Sequence, residues 1–216
     1  MNKTEDNNTS AIEETIAGAG DAGKNTIESR MIVGSKVKLR NRRLADARDD
    51  YIWRSDPELA RLDAAPLLDI SFPRYLLGYT SELYYPYSDG RRFAVETLDG
   101  KHIGNCSYYN INKAEGEAEL GIMVGNRDYW DKGYGADAVT GLVNYIFRRT
   151  NLRRIYLKTL NSNTRAQKCF RKCGFTPCGN LNRDGYNFML MEFHRNQWEK
   201  EKQNEVKNGK RTAKTR

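Results

Sequence analysis

Two glycines, Gly133 and Gly135, lie between a predicted strand and a predicted helix. Glycine lets the main chain approach a ligand closely, and the free N–H groups at a helix start form an anion site together with the helix dipole. This arrangement suits a pyrophosphate group. The segment is neither a Walker A sequence nor a dinucleotide fingerprint, because G-x-x-x-x-G-K-[ST] and G-x-G-x-x-G are both absent. Taken alone, the two glycines also fit a plain tight turn.

A second segment begins at Asn163 and ends at Gly174-Phe175. Asparagine is a good helix N-cap, and glycine supplies the left-handed residue with which many helices end. Ala166 and Phe170 fall on the apolar face of the predicted helix between them. Capping and packing therefore explain these residues even without a ligand.

Strand and helix patterns alternate around the two segments, so the elements that must position them can be predicted. The predicted strands are 37–40, 92–98, 102–111, 117–124, 154–160 and 186–193, and the predicted helices are 43–55, 72–85, 133–149 and 163–173. Asp99-Gly100 indicates a hairpin. This order predicts the α/β class, with a mixed, mainly antiparallel sheet flanked by helices.

The composition predicts one globular domain between two tails. We expect a disordered leader over 1–30, which has no aromatic residue, the domain over 31–199, and a basic flexible tail over 200–216. No apolar run approaches the roughly 20 residues of a membrane span. No secretory signal pattern opens the chain, so we expect a cytoplasmic protein.

Cysteine spacing and net charge bear on the partners. Cys106, Cys169, Cys173 and Cys178 contain no C-x-x-C pair, so we expect buried, reduced thiols and no metal site. The net charge of +8 suits a nucleotide-bearing coenzyme or an RNA-rich neighbourhood, and equally a solvated surface. The absence of an aromatic–basic RNA motif argues against nucleic acid as a partner.

The order of strand, W-x-K-G-Y-G at 130–135 and helix resembles motif A of the GNAT superfamily, written Gln/Arg-x-x-Gly-x-Gly/Ala. The segment from Asn163 to Phe175 resembles the family's motif B. The resemblance covers 37–195 and is strongest over 117–175. Trp130 replaces the family's Gln or Arg, a departure frequent in the RimJ/RimL-like branch, so the sequence is identified as a member of that branch with a GNAT-type sheet.

The resemblance implies an acetyl-CoA-dependent N-acetyltransferase. Backbone amides of the glycine loop would bind the coenzyme pyrophosphate, the edge of strand 117–124 would pair with the pantetheine arm, and the Asn163 side chain would bond the same arm. The implied coenzyme-binding residues are Gly121, Met123, Val124, Trp130, Asp131, Lys132, Gly133, Tyr134, Gly135, Asn163 and Phe170.

Acyl transfer from a thioester to an amine needs a proton acceptor for the ammonium and hydrogen-bond donors for the carbonyl oxygen. From the family's use of this strand, the backbone N–H of Met123 is the candidate carbonyl donor. Glu119 is the candidate base, because it precedes Gly121 by two residues on the same strand face. The alternative is an exposed strand glutamate without a catalytic role.

The acid that assists the leaving thiolate stays open. Phe170 stands where many GNAT enzymes have a tyrosine, and Ala166 stands where many RimJ/RimL-like enzymes have a serine. Cys169, Tyr186 or water would have to replace them.

Residues 56–91 are expected to wall the acceptor cleft, because family insertions there vary with substrate. The segment holds the acids Asp56, Glu58, Asp63, Asp69, Glu82 and Asp89 and the tyrosines Tyr75, Tyr79, Tyr84, Tyr85 and Tyr87. The acids would attract a cationic amine, or would simply face water while the tyrosines pack. We expect a primary amine acceptor, either a protein N-terminus or a small molecule. Polyamine or antibiotic acetylation, or coenzyme A binding without catalysis, are the alternatives, for a monomer or homodimer.

Overall fold

The computed structural model describes residues 31–86 and 88–213, with side chains described as far as Glu205. One sheet runs through this part of the chain, in the order β1-β2-β3-β4-β5-β6-β8-β7. The strands are β1 Ile32–Val33, β2 Val37–Arg40, β3 Arg91–Thr97, β4 His102–Asn112, β5 Glu117–Val124, β6 Arg154–Leu160, β7 Thr176–Arg183 and β8 Tyr186–His194. The α-helices are α1 Ala47–Arg54, α2 Pro57–Leu62, α3 Phe72–Tyr84, α4 Tyr134–Arg149, α5 Thr164–Lys172 and α6 Arg195–Ala213, and short 3-10 turns cover Leu44–Asp46 and Arg127–Tyr129.

The sheet is antiparallel except at one seam. There β5 runs parallel to β6, and the two strands pair only over Glu117–Glu119 and Arg154–Tyr156. Arg154 spans the seam and forms ion pairs with Glu117 of β5 and with Glu192 of β8. Beyond Glu119 the strands have no paired residues, so this edge of β5 is free to face a cavity.

Helix α4 covers the middle of the sheet and supplies much of the core. Val139, Val143 and Ile146 are buried, as the helical periodicity predicts. Ala136, expected on the same stripe, is only half-buried because it faces a cavity at the helix start. The core therefore ends where the glycine loop begins.

The mixed, mainly antiparallel sheet and its helices confirm the predicted fold class. Strands 37–40, 117–124 and 154–160 have the predicted bounds. Strand β7 was missed, although Asp184-Gly185, both at positive φ, joins it to β8 with the same hairpin signal as residues 99–100. Helix α2 and the short β1 were missed as well.

The two predicted tails have different outcomes. The leader over 1–30 lies outside the described residues, as do Tyr87 and 214–216, so the leader stays a prediction. Residues 200–213 belong to helix α6, where no helix was predicted, and the flexibility of the basic tail over 200–216 stays a prediction. The charged side chains of α6 lie on every face of the helix as far as they are described. The sequence therefore has no apolar periodicity there from which a helix could be predicted.

The cysteine expectation needs a partial correction. All four cysteines are free, but only Cys106 is buried, Cys169 and Cys173 are half-buried, and Cys178 is exposed. Within the described residues, no cluster of three or more His, Cys, Asp or Glu is arranged to hold a metal ion. In the same part of the chain, no helix is both long and apolar enough to cross a membrane.

Candidate active site

A first cavity of about 230 Å³ opens where β5 separates from β6. Its walls are the end of β5, the glycine loop, the start of α4 and one face of α5. Basic side chains line it as well, namely Arg165, Lys168 and Lys172. A narrow cleft with free main-chain groups on one side and cations on the other suits an elongated anionic ligand.

The glycine loop is tied to β5 by Trp130. The indole Nε1 donates a hydrogen bond of 2.6 Å to the Val124 carbonyl oxygen. The Arg165 guanidinium from α5 stacks on the indole, 3.2 Å from the ring centroid. The Trp130 ring therefore links three elements of the cavity wall.

Helix α4 begins with unoccupied N–H groups. Gly133 is its N-cap at φ 85°, and in the part of the chain that the structure describes no side-chain hydrogen bond caps the first turn. A Cβ on Gly133 would approach the Lys36 side chain at 3.6 Å. Uncapped amides, a helix dipole and a nearby lysine suit an anionic group, and the anion site itself stays a prediction.

Lys36 is positioned by Asp137, a residue that the sequence analysis did not single out. The Asp137 carboxylate accepts hydrogen bonds from the main-chain N–H groups of Ser35, Lys36 and Val37 at 2.8–3.0 Å. Burial tends to raise the pKa of Asp137, but these hydrogen bonds outweigh it and hold the pKa below its usual value. The only sequence signal is an aspartate in the first turn of a helix.

Helix α5 is fixed at its start by two amides. Asn163 Oδ1 accepts a hydrogen bond of 3.1 Å from the Ala166 N–H, which leaves the Asn163 Nδ2 group free to donate to a ligand. Gln167, which we did not single out, is buried and donates from Nε2 to the Leu160 and Asn161 carbonyl oxygens at 3.0 Å. These contacts hold α5 against the end of β6, and Gly174 closes the helix at φ 90° as predicted.

The predicted coenzyme-binding residues separate into two groups. Those that line the first cavity are Met123, Val124, Trp130, Asp131, Gly133, Gly135, Asn163 and Phe170. Gly121 instead lines the other two cavities of the site, described next. Lys132 and Tyr134 do not line the first cavity: the Lys132 ammonium donates to the Asp128 carbonyl oxygen, and the Tyr134 ring packs on Tyr129.

A second cavity of about 510 Å³ lies between β4, β5, α1 and α3. Of the segment that we expected to wall the acceptor cleft, Asp63, Tyr75, Tyr79 and Glu82 line it. The other acids of that segment have separate roles or positions: Asp56 and Glu58 pair with Arg127, while Asp69 and Asp89 are exposed. Tyr84 and Tyr85 are exposed too.

Ion pairs and hydrogen bonds shape the wall of the second cavity. Arg42 pairs with Glu82 at 3.0 Å and stacks on Tyr79, 4.2 Å from the ring centroid. Asp50 accepts a hydrogen bond from Asn105, and burial raises the pKa of Asp50 against the effect of that bond. Two of the acids that line this cavity are thus already engaged by the protein.

Glu119 lines a third cavity of about 340 Å³, on the β6 side of the seam. Its side chain is only 3 % exposed, so the alternative of an exposed strand glutamate is wrong. The carboxylate accepts hydrogen bonds from Tyr109 Oη at 3.1 Å and Asn110 Nδ2 at 3.0 Å, and pairs with Lys158 Nζ at 3.0 Å. Any proton transfer to Glu119 would have to compete with these three donors.

The three cavities meet at the end of β5. Ile122 lines all of them, and Met123 lines the first and the second. One ligand in the first cavity and another in the second would therefore come together beside Met123. This is the geometry that a transfer reaction between two bound molecules requires.

A parallel seam that opens beside a glycine loop and an uncapped helix start suits transfer of a group from a large anionic coenzyme.

Residues 36–176 match the model of the GNAT acetyltransferase domain. The chain is 30% identical to the uncharacterized N-acetyltransferase p20 of Bacillus licheniformis over 147 residues. This alignment covers 68% of this chain and 82% of the relative. The chain is 31% identical to the spermidine N(1)-acetyltransferase of Vibrio cholerae over 91 residues, 42% of this chain and 52% of the relative.

Solved structures agree in fold. The spermidine N-acetyltransferase of Vibrio cholerae, in complex with CoA and spermine, aligns with a TM-score of 0.67 at 22% identity over 76% of this chain and 98% of its own. The aminoglycoside acetyltransferase AAC(6')-Ib, in complex with coenzyme A, aligns with a TM-score of 0.64 at 20% identity over the same shares. At such identities the likeness establishes the fold alone.

The protein belongs to the GNAT acetyltransferase family. It is an acetyl-CoA-dependent N-acetyltransferase, and its acceptor is an amine.

Proposed function

We propose that acetyl-CoA occupies the first cavity and that a primary amine enters through the second, so that the acetyl group is transferred beside Met123. The junction of the two cavities at Ile122 and Met123 is the observation that carries this assignment. The thioester carbon and the amine nitrogen must lie about 3–3.5 Å apart to react, so the two ligands have to meet where their cavities join.

On the coenzyme side, the pyrophosphate would lie on the amides of the glycine loop and the start of α4. The free edge of β5 would pair with the pantetheine arm, and Asn163 Nδ2 would donate to one of its carbonyl groups. Lys36, Arg165, Lys168 and Lys172 would then neutralise the phosphates. Lys132 and Tyr134 enter this proposal through their main-chain N–H groups only.

On the acceptor side, the charge of the second cavity favours an amine with a single positive charge. Four arginines line it, Arg42, Arg54, Arg74 and Arg92, against the three carboxylates of Asp50, Asp63 and Glu82. A polycation such as spermidine would meet net repulsion there. We therefore place a peptide N-terminus or a small monoamine ahead of a polyamine, although three of the relatives are spermidine acetyltransferases.

For the chemistry, Met123 is proposed to donate its main-chain N–H to the thioester oxygen. Glu119 is proposed to accept protons through water in the third cavity, since its carboxylate does not reach the second. The half-buried Cys169 lines the first cavity, but its hydrogen bond with Cys173 and, next, burial raise its pKa, so Cys169 is a poor proton donor to a thiolate. Water is the proposed acid.

Two finer assignments belong to the proposal as well. The RimJ/RimL-like branch is supported by Trp130 and its stacking with Arg165. A cytoplasmic location is supported by the four free cysteines, one of them exposed, because such thiols persist in reducing compartments.

The proposal is tested by measuring free thiol release from acetyl-CoA with three acceptors: the peptide Ser-Gly-Ala, kanamycin and spermidine. We expect the peptide to be acetylated with a higher kcat/KM than spermidine. Calorimetry with acetyl-CoA alone tests the first cavity separately. Tight coenzyme binding with spermidine as the best acceptor would overturn the charge argument, and failure to bind acetyl-CoA would overturn the whole assignment.

A further inference from the structure

Asp63 lies at the point where the three cavities of the site meet. It follows helix α2, its main-chain N–H donates to the Leu59 carbonyl oxygen at 2.9 Å, and its side chain lines all three cavities. The side chain is accessible to solvent through these openings, although protein surrounds it on most sides. Ile122, beside the proposed reaction point, is the other residue common to all three.

The Asp63 carboxylate has no hydrogen bond or ion pair within the part of the chain that the structure describes. This separates it from the other two carboxylates that line the second cavity. Asp50 is held by Asn105, and Glu82 is held by Arg42 and Arg92. Asp63 is thus the acid of the acceptor cavity that is free to bind a ligand.

We propose that Asp63 contacts the acceptor amine directly and takes the proton that the ammonium must lose before it attacks the thioester. This rests on the proposed function of the two cavities. The role of Asp63 adds to that function the identity of the base. Glu119 then has a secondary role and accepts protons only through water.

The Asp63 carboxylate removes one proton from the ammonium and becomes a carboxylic acid. The amine lone pair then forms the C–N bond, the C–S bond breaks, and the second proton leaving nitrogen is delivered through water to the departing thiolate. Asp63 returns its proton to solvent through the open cavities, so the enzyme is restored and one proton is released overall.

The surroundings of Asp63 support this role. Desolvation by the surrounding protein raises the pKa of Asp63 to about 6, although the residue stays exposed to solvent, and Arg54 of α1 acts in the opposite direction. Tyr109 of β4 faces the same space, as do Glu119 of β5 and its partner Lys158 across the third cavity. The remaining charged or titratable groups that line the three cavities are Arg42, Asp50, Arg74, Tyr75, Tyr79, Glu82, Arg92, Cys106, Tyr129, Asp131, Arg165, Lys168, Cys169, Lys172, Arg183, Asp184 and Tyr186. A carboxylate that titrates near 6 is ionised at neutral pH and is a stronger base than an ordinary aspartate.

The kinetic test compares Asp63→Asn with Asp69→Asn, an exposed acid of the same segment that lines none of the three cavities. With Ser-Gly-Ala as acceptor, we expect kcat/KM of Asp63→Asn at pH 7 to fall by roughly 10²-fold, and the ascending limb of the pH profile near 6 to disappear. Acetyl-CoA affinity should stay within about two-fold. In Asp63→Ala, added formate should restore part of the rate, because a small carboxylate fits the space left behind. A structural role would not produce this rescue.

A second measurement does not depend on the choice of acceptor. In protein labelled with ¹³C at aspartate carboxyl groups, the Asp63 signal is identified as the one missing in Asp63→Asn. We expect it to titrate near pH 6 and to shift when n-propylammonium is added. Titration near the ordinary aspartate value of about 4 with no response to n-propylammonium would overturn the proposal, as would full activity of Asp63→Asn. Failure of the wild-type protein to bind acetyl-CoA would overturn the cavity assignment and leave this titration result intact.

Discussion

Trp130 Nε1 donates a 2.6 Å hydrogen bond to the main-chain oxygen of Val124. This bond joins the glycine loop to the last residue of β5, so a single side chain connects two walls of the first cavity. Because Arg165 stacks on the other face of the same indole, α5 is held in the same arrangement.

Two substitutions at Trp130 should separate these contacts. Trp130→Phe removes the hydrogen bond but keeps an aromatic face for Arg165. We expect the free energy of unfolding and the free energy of acetyl-CoA binding each to become less favourable to the native and bound states by about 0.5–1.5 kcal/mol. Trp130→Ala should weaken both further, since the cation–π contact is lost too. Calorimetry and thermal unfolding measure the two effects, and equal losses in both variants would show that the stacking contributes nothing.

Gly135 offers a clean test of the anion site. A Cβ there would meet Val124 and Cys169 at ordinary contact distances of 3.6 and 3.7 Å, whereas Gly133 has a left-handed φ that makes any substitution strained. We expect Gly135→Val to lower acetyl-CoA affinity at least ten-fold, about 1.4 kcal/mol, while the protein stays folded. Gly141→Ala, in the same helix and away from the cavity, is the matched control. Unchanged affinity in folded Gly135→Val would refute the placement of the pyrophosphate.

Asp137 should stabilise the protein in a pH-dependent way. Its pKa is lowered in the folded state, so its stabilising contribution is present above the unfolded value of about 3.9 and is lost as pH falls through the lower folded value. We expect Asp137→Asn to lower the free energy of unfolding by about 1–2 kcal/mol at pH 7, with a smaller difference near pH 3. Chemical denaturation at the two pH values measures it, and a constant difference would mean that the charge of Asp137 is not involved.

Asp63 should change the stability of the protein with pH in the opposite direction to Asp137. Its pKa is raised to about 6, so the folded protein binds a proton more tightly than the unfolded chain does. Stability is therefore lost as pH rises from about 4 to 6. We expect the melting temperature of Asp63→Asn to exceed that of the wild type at pH 7 and the two to converge near pH 4. A variant less stable than the wild type at pH 7 would indicate that Asp63 has a structural partner.

Glu119 is the residue at which the two candidate bases can be distinguished. If Glu119 acts only through water, Glu119→Gln should lower kcat by no more than roughly ten-fold and leave the limb near pH 6 in place. A loss of 10²–10⁴-fold that shrinks at high pH is expected of the principal base. That result, from steady-state rates with Ser-Gly-Ala, would assign the principal role to Glu119 and contradict the one proposed for Asp63.

How far the sequence predicts this molecule depends on how local the signals are. The glycine loop, the Asn163 cap and the terminating Gly174 are read from neighbouring residues, and the structure has each of them in the predicted element. Strand β7 was missed because Pro177, Gly179 and Asn180 are typical of loops, and they are tolerated at an exposed sheet edge. Local composition cannot reveal that a strand lies at an edge.

The acceptor side was predicted least well because it is assembled from distant segments. Asp63 was one of six acids in the segment over 56–91, and nothing in its neighbours marks it. Its distinction comes from β4, β5 and β6, which bring Tyr109, Glu119 and Lys158 to the same space. Likewise, Glu119 acquires its buried ion pair from residue 158, far along the chain.

The seam between β5 and β6 gives the protein two plates joined by a narrow strip. One plate is β1 to β5 and the other is β6, β8 and β7. The two strands at the seam pair over three residue pairs, reinforced by the ion pairs of Arg154 and by the Glu119–Lys158 ion pair. A molecule lying in the open part of the seam would act as a splint that stiffens the joint between the plates. Binding in the seam would then slow amide hydrogen exchange in β6 and β8, at positions that the bound molecule does not contact.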